Sequence, residues 1–348
     1  PWIIGGMAVL ATGGIGAAAA TAWMGTHVAA GIVAAVLAFM LIGFGVSAAG
    51  TSLLVLLAQR VQPERRAAAA TIVWLMMIAG FAVTAGVAGS LLDPYSPARL
   101  IGVTAAVSAV AMLVACLAMR GLEGGAADGP AGAPSPGPEP VRFLAALAEV
   151  WAEPQARRFT VFVFVSMLAY SAQDLILEPF AGTALGFTPG ESTRLSGVQH
   201  GGVLLGMIAA ALAGRGRFGS LRTWQVGGCL LSALALLGLV AAGALGPAWP
   251  FKLNVFVLGV ANGAFSIAAI AEMMKLAGEG RSERAGVRMG MWGAAQALAF
   301  GFGGLAGAGA SDLARLFIGT PAASYGAVFA AEALLFVVAA VLAGRVGR

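Results

Sequence analysis

The chain has 348 residues, of which 59% are hydrophobic and 10% charged, with a mean hydropathy of +0.91. A water-soluble core of this size does not need so much apolar sequence, so a soluble enzyme or binding domain is excluded and an integral membrane protein is implied. The net charge of +5 does not point to nucleic acid either, because the 20 Lys and Arg are scattered through short connections rather than gathered on one face.

Apolar runs of about 20 residues, punctuated by Gly, Pro and charge, predict an all-α polytopic bundle rather than the short alternating strands of a barrel. In chain order the predicted spans cover 2–24, 28–59, 67–91, 99–119, 158–178, 193–213, 223–245, 251–276, 287–309 and 322–344. The second is long enough to tilt or bend, with Gly43, Gly45 and Gly50 as the places for a bend. If alternate connections face the cytoplasm, sixteen of the 20 basic residues lie on that side, which puts the C-terminus there as well.

Between the fourth and fifth spans, GLEGGAADGPAGAPSPGPEP is too poor in apolar residues to pack and reads as a flexible cytoplasmic linker. It divides the chain into an N-terminal half, 1–119, a connecting segment, 120–156, and a C-terminal half, 157–348. Within the connection, Phe143, Leu144, Leu147 and Trp151 recur at helical spacing, as in a short amphipathic helix over about 140–152 lying on the membrane surface.

The two halves share text. ERRAAAATIVWLMMIAGFAVTAGVAG at 64–89 aligns with ERAGVRMGMWGAAQALAFGFGGLAG at 283–307, matching Trp74 with Trp292. The loop that opens this repeat follows the second helix of the first half but the fourth helix of the second. The expectation is therefore two six-helix halves related as parallel repeats, with the first two of twelve helices missing from this chain.

This architecture resembles the major facilitator superfamily. PERRAAA at 63–69 is similar to its basic loop between helices four and five, and GRGRFGSLR at 214–222 to a degenerate form of its later loop signature, without the usual acidic residue. The segments AQDLILEPFAG (172–182), ESTRLSGVQHGGVLLGM (191–207) and PWIIGGMAVLATGGIG (1–16) resemble the bacteriochlorophyll delivery branch of that superfamily, the PucC and LhaA type. The resemblance implies a non-enzymatic assembly factor of the bacterial inner, intracytoplasmic membrane that binds or delivers bacteriochlorophyll. Its partners would be light-harvesting or reaction-centre subunits or pigment-synthesis enzymes, besides the bilayer itself. A secondary transporter of a small molecule is the alternative that the superfamily offers.

Candidate site residues follow from depth. Asp174 lies sixteen residues outward from Arg158, about 24 Å along a helix, and His200 lies about 10 Å inward from the start of the next span. Two consecutive antiparallel helices with a short connection usually touch, so Gln173, Asp174, Gln199 and His200 are expected to form one polar cluster facing the protein interior. A neutral imidazole can ligate the magnesium of a bacteriochlorophyll when its other nitrogen is held by an acceptor, and His200 with Asp174 has that chemistry. Gly201, Gly202 and Gly206 would leave a face open to a flat macrocycle or a neighbouring helix. Hydrogen bonding between helices and a proton relay are the other readings of the same residues.

Glu178, directly before Pro179, is expected to end its helix near the outer interface as a solvated or capping group. Glu191 suits a helix N-terminus, and Glu272 with Lys275 an intrahelical pair. Glu332 falls inside the last span with no partner to name. Cys116 and Cys229 read as small buried hydrophobes, and no phosphate-binding loop, metal cluster or nucleophile arrangement argues for an enzyme.

Overall fold

A computed structural model of the chain describes residues 2–62, 65–121, 143–215, 219–278 and 285–346. The Gly/Pro-rich linker over 122–142 lies outside the described residues, as do 63–64 and 216–218 of the basic loop motifs quoted above. Among the described residues the secondary structure is helical, with no strand: α1 Trp2–Met24, α2 Val28–Arg60, α3 Arg66–Leu92, α4 Pro97–Met119, α5 Phe143–Ala152, α6 Pro154–Leu185, α7 Pro189–Arg215, α8 Leu221–Leu245, α9 Phe251–Gly278, α10 Ala285–Phe317 and α11 Pro321–Ala343.

Local chemistry places several of these ends. Ser96, Ser220 and Thr320 cap α4, α8 and α11 by accepting hydrogen bonds from the backbone N–H three residues on, and Pro follows the cap of α4 and α11 at the first helical position. At the start of α7 the Thr188 N–H donates to Glu191 Oε2 at 3.0 Å, while the Glu191 N–H donates to Thr188 Oγ1 at 3.1 Å. This reciprocal pair gives Glu191 the local helix-start role read from the sequence.

Nine of the helices are long and apolar enough to cross a membrane by length and composition. The remaining predicted span, the ninth in chain order, is α10, which is 33 residues long but falls short in apolarity, since its sequence carries Arg288, Gln296, Ser311, Asp312 and Arg315 among many glycines. Leu and Phe side chains stand outward on helix after helix, for example Phe39, Phe44, Leu113, Leu234 and Leu334. Surfaces of that kind suit acyl chains and not water. The protein is a helical multi-pass membrane protein.

The chain divides into two compact units, Pro1–Trp74 with Val87–Pro138, and Leu75–Gly86 with Glu139–Arg348. In the first, α1 packs along α2 and α4. Gly45 is a point of close approach, because a Cβ there would come within 2.5 Å of the Leu10 backbone.

In the second unit, α6 packs on α10 and α11, α7 on α9, and α8 on both α9 and α11. The core is aromatic, with Phe159, Phe162, Phe180, Phe265, Phe329, Phe336 and Trp292 all fully buried. Gly303 and Gly307 of α10 lie directly against Leu168 and Ala172 of α6, as small residues at that spacing should. Cys229 is buried and Cys116 partly so.

Two expectations are corrected here. The helix expected to stop at Glu178 continues through Pro179 to Leu185 and ends at Gly186, whose φ of 74° is the left-handed conformation that closes a helix. Phe180 explains the extra turns: it is fully buried against Phe251, Tyr325 and Phe329, with ring centroids 5.8, 5.9 and 5.1 Å away, and this packing outweighs the one backbone bond that proline removes. The short helix α5 also does more than lie on a membrane surface. Val150 is fully buried and Leu147 leans on the same core, while Trp151 stays exposed.

Candidate functional site

The site residues come from the C-terminal half of α6 and the N-terminal half of α7. Along α6, Tyr170, Asp174 and Glu178 follow one another at four-residue steps and so form a stripe down one side of the helix. Gln173 is one residue, or about 100°, away from that stripe, on the face of Phe180. It is 1% exposed, and neither its amide N–H2 nor its carbonyl oxygen has a hydrogen-bond partner.

The expected cluster of four therefore divides. Asp174 meets α7: the Gln199 side-chain amide donates to Asp174 Oδ1 across 3.4 Å, a long bond, and Asp174 interacts electrostatically with His200 and Tyr170. One turn further out, the Ser196 hydroxyl donates to Glu178 Oε1. Gln173 turns instead into the core. Asp174 is exposed where Gln173 is buried, so these two neighbours on α6 do not share one environment. The physical reason is the helix period: once Phe180 and Leu177 claim the core, Gln173 goes with them and Asp174 cannot.

Glu178 is likewise neither a helix end nor a free solvated carboxylate, because α6 runs on past it and a hydroxyl from α7 holds it. Ser196 is a site residue that sequence reading passed over. Its signal was present, since it stands four residues before His200 on the same helical face.

His200 is held from two directions. Nδ1 lies 2.8 Å from the Ser196 carbonyl oxygen, one turn back on α7. A carbonyl only accepts, so Nδ1 carries the hydrogen, and in the neutral ring Nε2 keeps its lone pair. Phe81 of α3 meets the imidazole ring edge-on, with centroids 5.5 Å apart and planes at 83°. Nothing in the sequence pattern connects Phe81 to His200, because their contact depends on tertiary placement alone.

The face of α7 behind the site is filled. α6 and α7 touch over a small area, and the main neighbour of α7 is α9. Its glycines serve that contact: a Cβ on Gly202 would stand 2.4 Å from the Phe256 carbonyl oxygen and one on Gly206 2.1 Å from that of Val260, whereas Gly201 has nothing within 4 Å. Of the three glycines expected to leave an open face, only Gly201 does so.

Chemically, the arrangement offers one oriented imidazole nitrogen, a carboxylate bonded to an amide, and a second carboxylate bonded to a hydroxyl. Among the described residues, no group of three or more His, Cys, Asp and Glu could hold a bare metal ion. His200 can act as a single axial ligand or as an acceptor, with Nδ1 fixing its tautomer.

The family model described as PUCC protein matches residues 1–348, the full length of the chain. The chain belongs to the PUCC family. Among PUCC relatives, a protein of Rhodobacter capsulatus named bacteriochlorophyll synthase 44.5 kDa chain is 54% identical over 343 residues, a match spanning 98% of this chain and 78% of the relative. Protein PucC of the same organism is 30% identical over 89% of this chain and 67% of its own length, and Protein PucC of Cereibacter sphaeroides 31% identical over 87% and 65%. Among solved structures, a mutant of the peptide transporter POT superposes with a TM-score of 0.68 over 99% of this chain and 80% of the transporter. At 16% identity that likeness shows a shared fold of the major facilitator type, as the sequence resemblance implied, and nothing more.

Proposed function

We propose that this PUCC-family chain is a non-enzymatic membrane assembly factor that binds bacteriochlorophyll and delivers it to light-harvesting or reaction-centre complexes. The observation that carries the reading is the state of His200. Its Nδ1 is committed to a backbone carbonyl, its Nε2 is left as a ligand, and the neighbouring Gly201 is open on the side where a macrocycle would lie. The names of the relatives support the pigment: one is called a bacteriochlorophyll synthase chain. In this reading His200 holds the pigment magnesium, Phe81 limits the tilt of the imidazole, and Asp174 with Gln199 supplies polar contacts at the rim. Glu178, bonded to the Ser196 hydroxyl, ties α6 to α7 one turn away from the ligand position. The chain would work in the inner, intracytoplasmic membrane with its C-terminus in the cytoplasm, handing pigment to subunits of the photosynthetic complexes.

The test is the absorption spectrum of the protein purified gently from a bacteriochlorophyll-making cell. Wild type is expected to carry pigment, and His200→Ala to lose most of it while eluting as the same monodisperse species. Colourless wild-type protein, or equal pigment in the His200→Ala variant, overturns the reading.

A further inference from the structure

Glu332 lies in the middle of α11 and is 2% exposed, and neither of its carboxylate oxygens has a hydrogen-bond partner. An unpaired carboxylate in a protein interior is costly by several kcal/mol, so the surroundings of Glu332 must supply one positive charge.

Register shows what those surroundings are. α6 and α11 run antiparallel, since Phe180 stacks on Tyr325 at one end while Arg158 donates to the Arg345 carbonyl, 3.4 Å away, at the other. Seven residues back from Phe180 is Gln173, and seven residues on from Tyr325 is Glu332. Seven residues are nearly two full turns, so both side chains keep the facing orientation and arrive at the same depth, about 10 Å below the aromatic layer. α8 and α11 are antiparallel too, with Arg222 bonded to the Gly344 carbonyl at one end and Gly243 against Ala322 at the other. Eleven residues back from Gly243 is Ser232, ten on from Ala322 is Glu332. Ser232 in turn donates to Asn262 Oδ1 of α9 at 2.8 Å, leaving the Asn262 Nδ2 group without a partner. Gln173, Ser232, Asn262 and Glu332 thus share one level of the second unit, are each no more than 2% exposed, and between them leave two carboxylate oxygens, an amide oxygen and two amide nitrogens unsatisfied.

We propose that Glu332 is the anionic centre of a buried monovalent-cation site completed by the amide groups of Gln173 and Asn262. The cation is either a proton held on the carboxyl or a sodium ion ligated by the Glu332 and Gln173 oxygens, with the unpaired Asn262 Nδ2 group as a donor to the carboxylate. Both satisfy the same requirement of a single charge within a hard oxygen set. The other titratable groups near this depth on the elements packed against α11 are Tyr170 and Asp174 on α6 and Cys229 on α8. The facing parts of α9 and α10 contribute none. The site is separate from His200 and does not depend on the pigment reading.

The experiment is thermal unfolding of the detergent-solubilised full chain in sodium chloride against choline chloride, each across a range of pH, for wild type and Glu332→Gln. A sodium site predicts a wild-type melting temperature that rises by roughly 2 °C per tenfold increase in sodium above the dissociation constant, and a proton site one that falls as pH rises, with no sodium effect. Either dependence should vanish in Glu332→Gln. Wild type and variant responding alike to both variables overturns the proposal. Should Glu332→Gln fail to fold, Gln173→Leu, which keeps the charge and removes one amide, must shift the midpoint of the sodium or pH response, and an unmoved midpoint overturns it as well.

Discussion

Arg288 of α10 grips Glu153, the residue just before α6, with a two-pronged ion pair: Nε lies 3.1 Å from Oε2, and Nη2 lies 2.9 Å from Oε1 and 2.7 Å from Oε2. The Arg288 side chain is only 8% exposed, the Glu153 side chain 35%. Glu153→Ala would strand a buried guanidinium and is expected to cost about 2–4 kcal/mol, below the full buried-pair penalty because water already reaches the carboxylate. Replacing both partners, as in Glu153→Leu with Arg288→Met, should recover most of that loss. Thermal unfolding of the two single variants and the double variant checks this, and an additive double variant would mean that the pair carries no coupling.

The Ser196 hydroxyl and the Glu178 carboxylate make a second link between α6 and α7. Ser196→Ala leaves a partly buried carboxylate short of a donor and is expected to destabilise by about 1–2 kcal/mol, as for hydrogen bonds to charged groups. It leaves the Ser196 carbonyl in place, so the His200 tautomer and any pigment spectrum should change little. Stability and absorption measured on the same preparation separate the two roles of this residue.

Val150 is the buried anchor of α5, and Trp151 beside it is exposed. Val150→Asp puts a charge into that core, whereas Trp151→Ser removes a surface side chain. Limited proteolysis should therefore cut near α5 much faster in Val150→Asp than in wild type or Trp151→Ser. Equal cleavage of all three would show that α5 is not held by its Val150 face.

Much of the fold was legible because lipid imposes a simple grammar: apolar runs of spanning length, broken by Gly, Pro and charge, gave ten helices whose positions agree with the structure to within a few residues for most of them. The failures share one cause. Pro179 reads locally as a stop, yet the burial of Phe180 among rings from α9 and α11 carries the helix seven residues past Glu178, and no local pattern contains that information. Chain neighbours α6 and α7 do touch, through Gln199 with Asp174 and Ser196 with Glu178, but the main partner of α7 is α9, where glycines on both helices allow a close backbone approach. The candidate site followed the same rule. Asp174, Gln199 and His200 were found from depth and residue type, but the side of α6 that Gln173 faces was decided by the core.

The α7–α9 contact gives the sharpest test of that account. Gly206 of α7 and Gly263 of α9 interlock: an added Cβ on Gly206 would lie 2.1 Å from the Val260 carbonyl oxygen, and one on Gly263 2.0 Å from that of Val203. The atoms in the way are backbone, so they cannot swing aside, and the helices must separate. Gly206→Ala and Gly263→Ala are each expected to cost about 1–3 kcal/mol through overpacking. Gly201→Ala, on the same helix with nothing within 4 Å, is expected to be neutral or slightly stabilising, since alanine favours the helix over glycine by about 1 kcal/mol. Separation of α7 from α9 would also shift Gln199, whose carbonyl lies against Gly259, and so loosen its bond to Asp174. Thermal unfolding of the three variants decides the matter: a Gly201→Ala loss as large as that of Gly206→Ala would mean that helix flexibility, rather than close approach, is what these glycines provide.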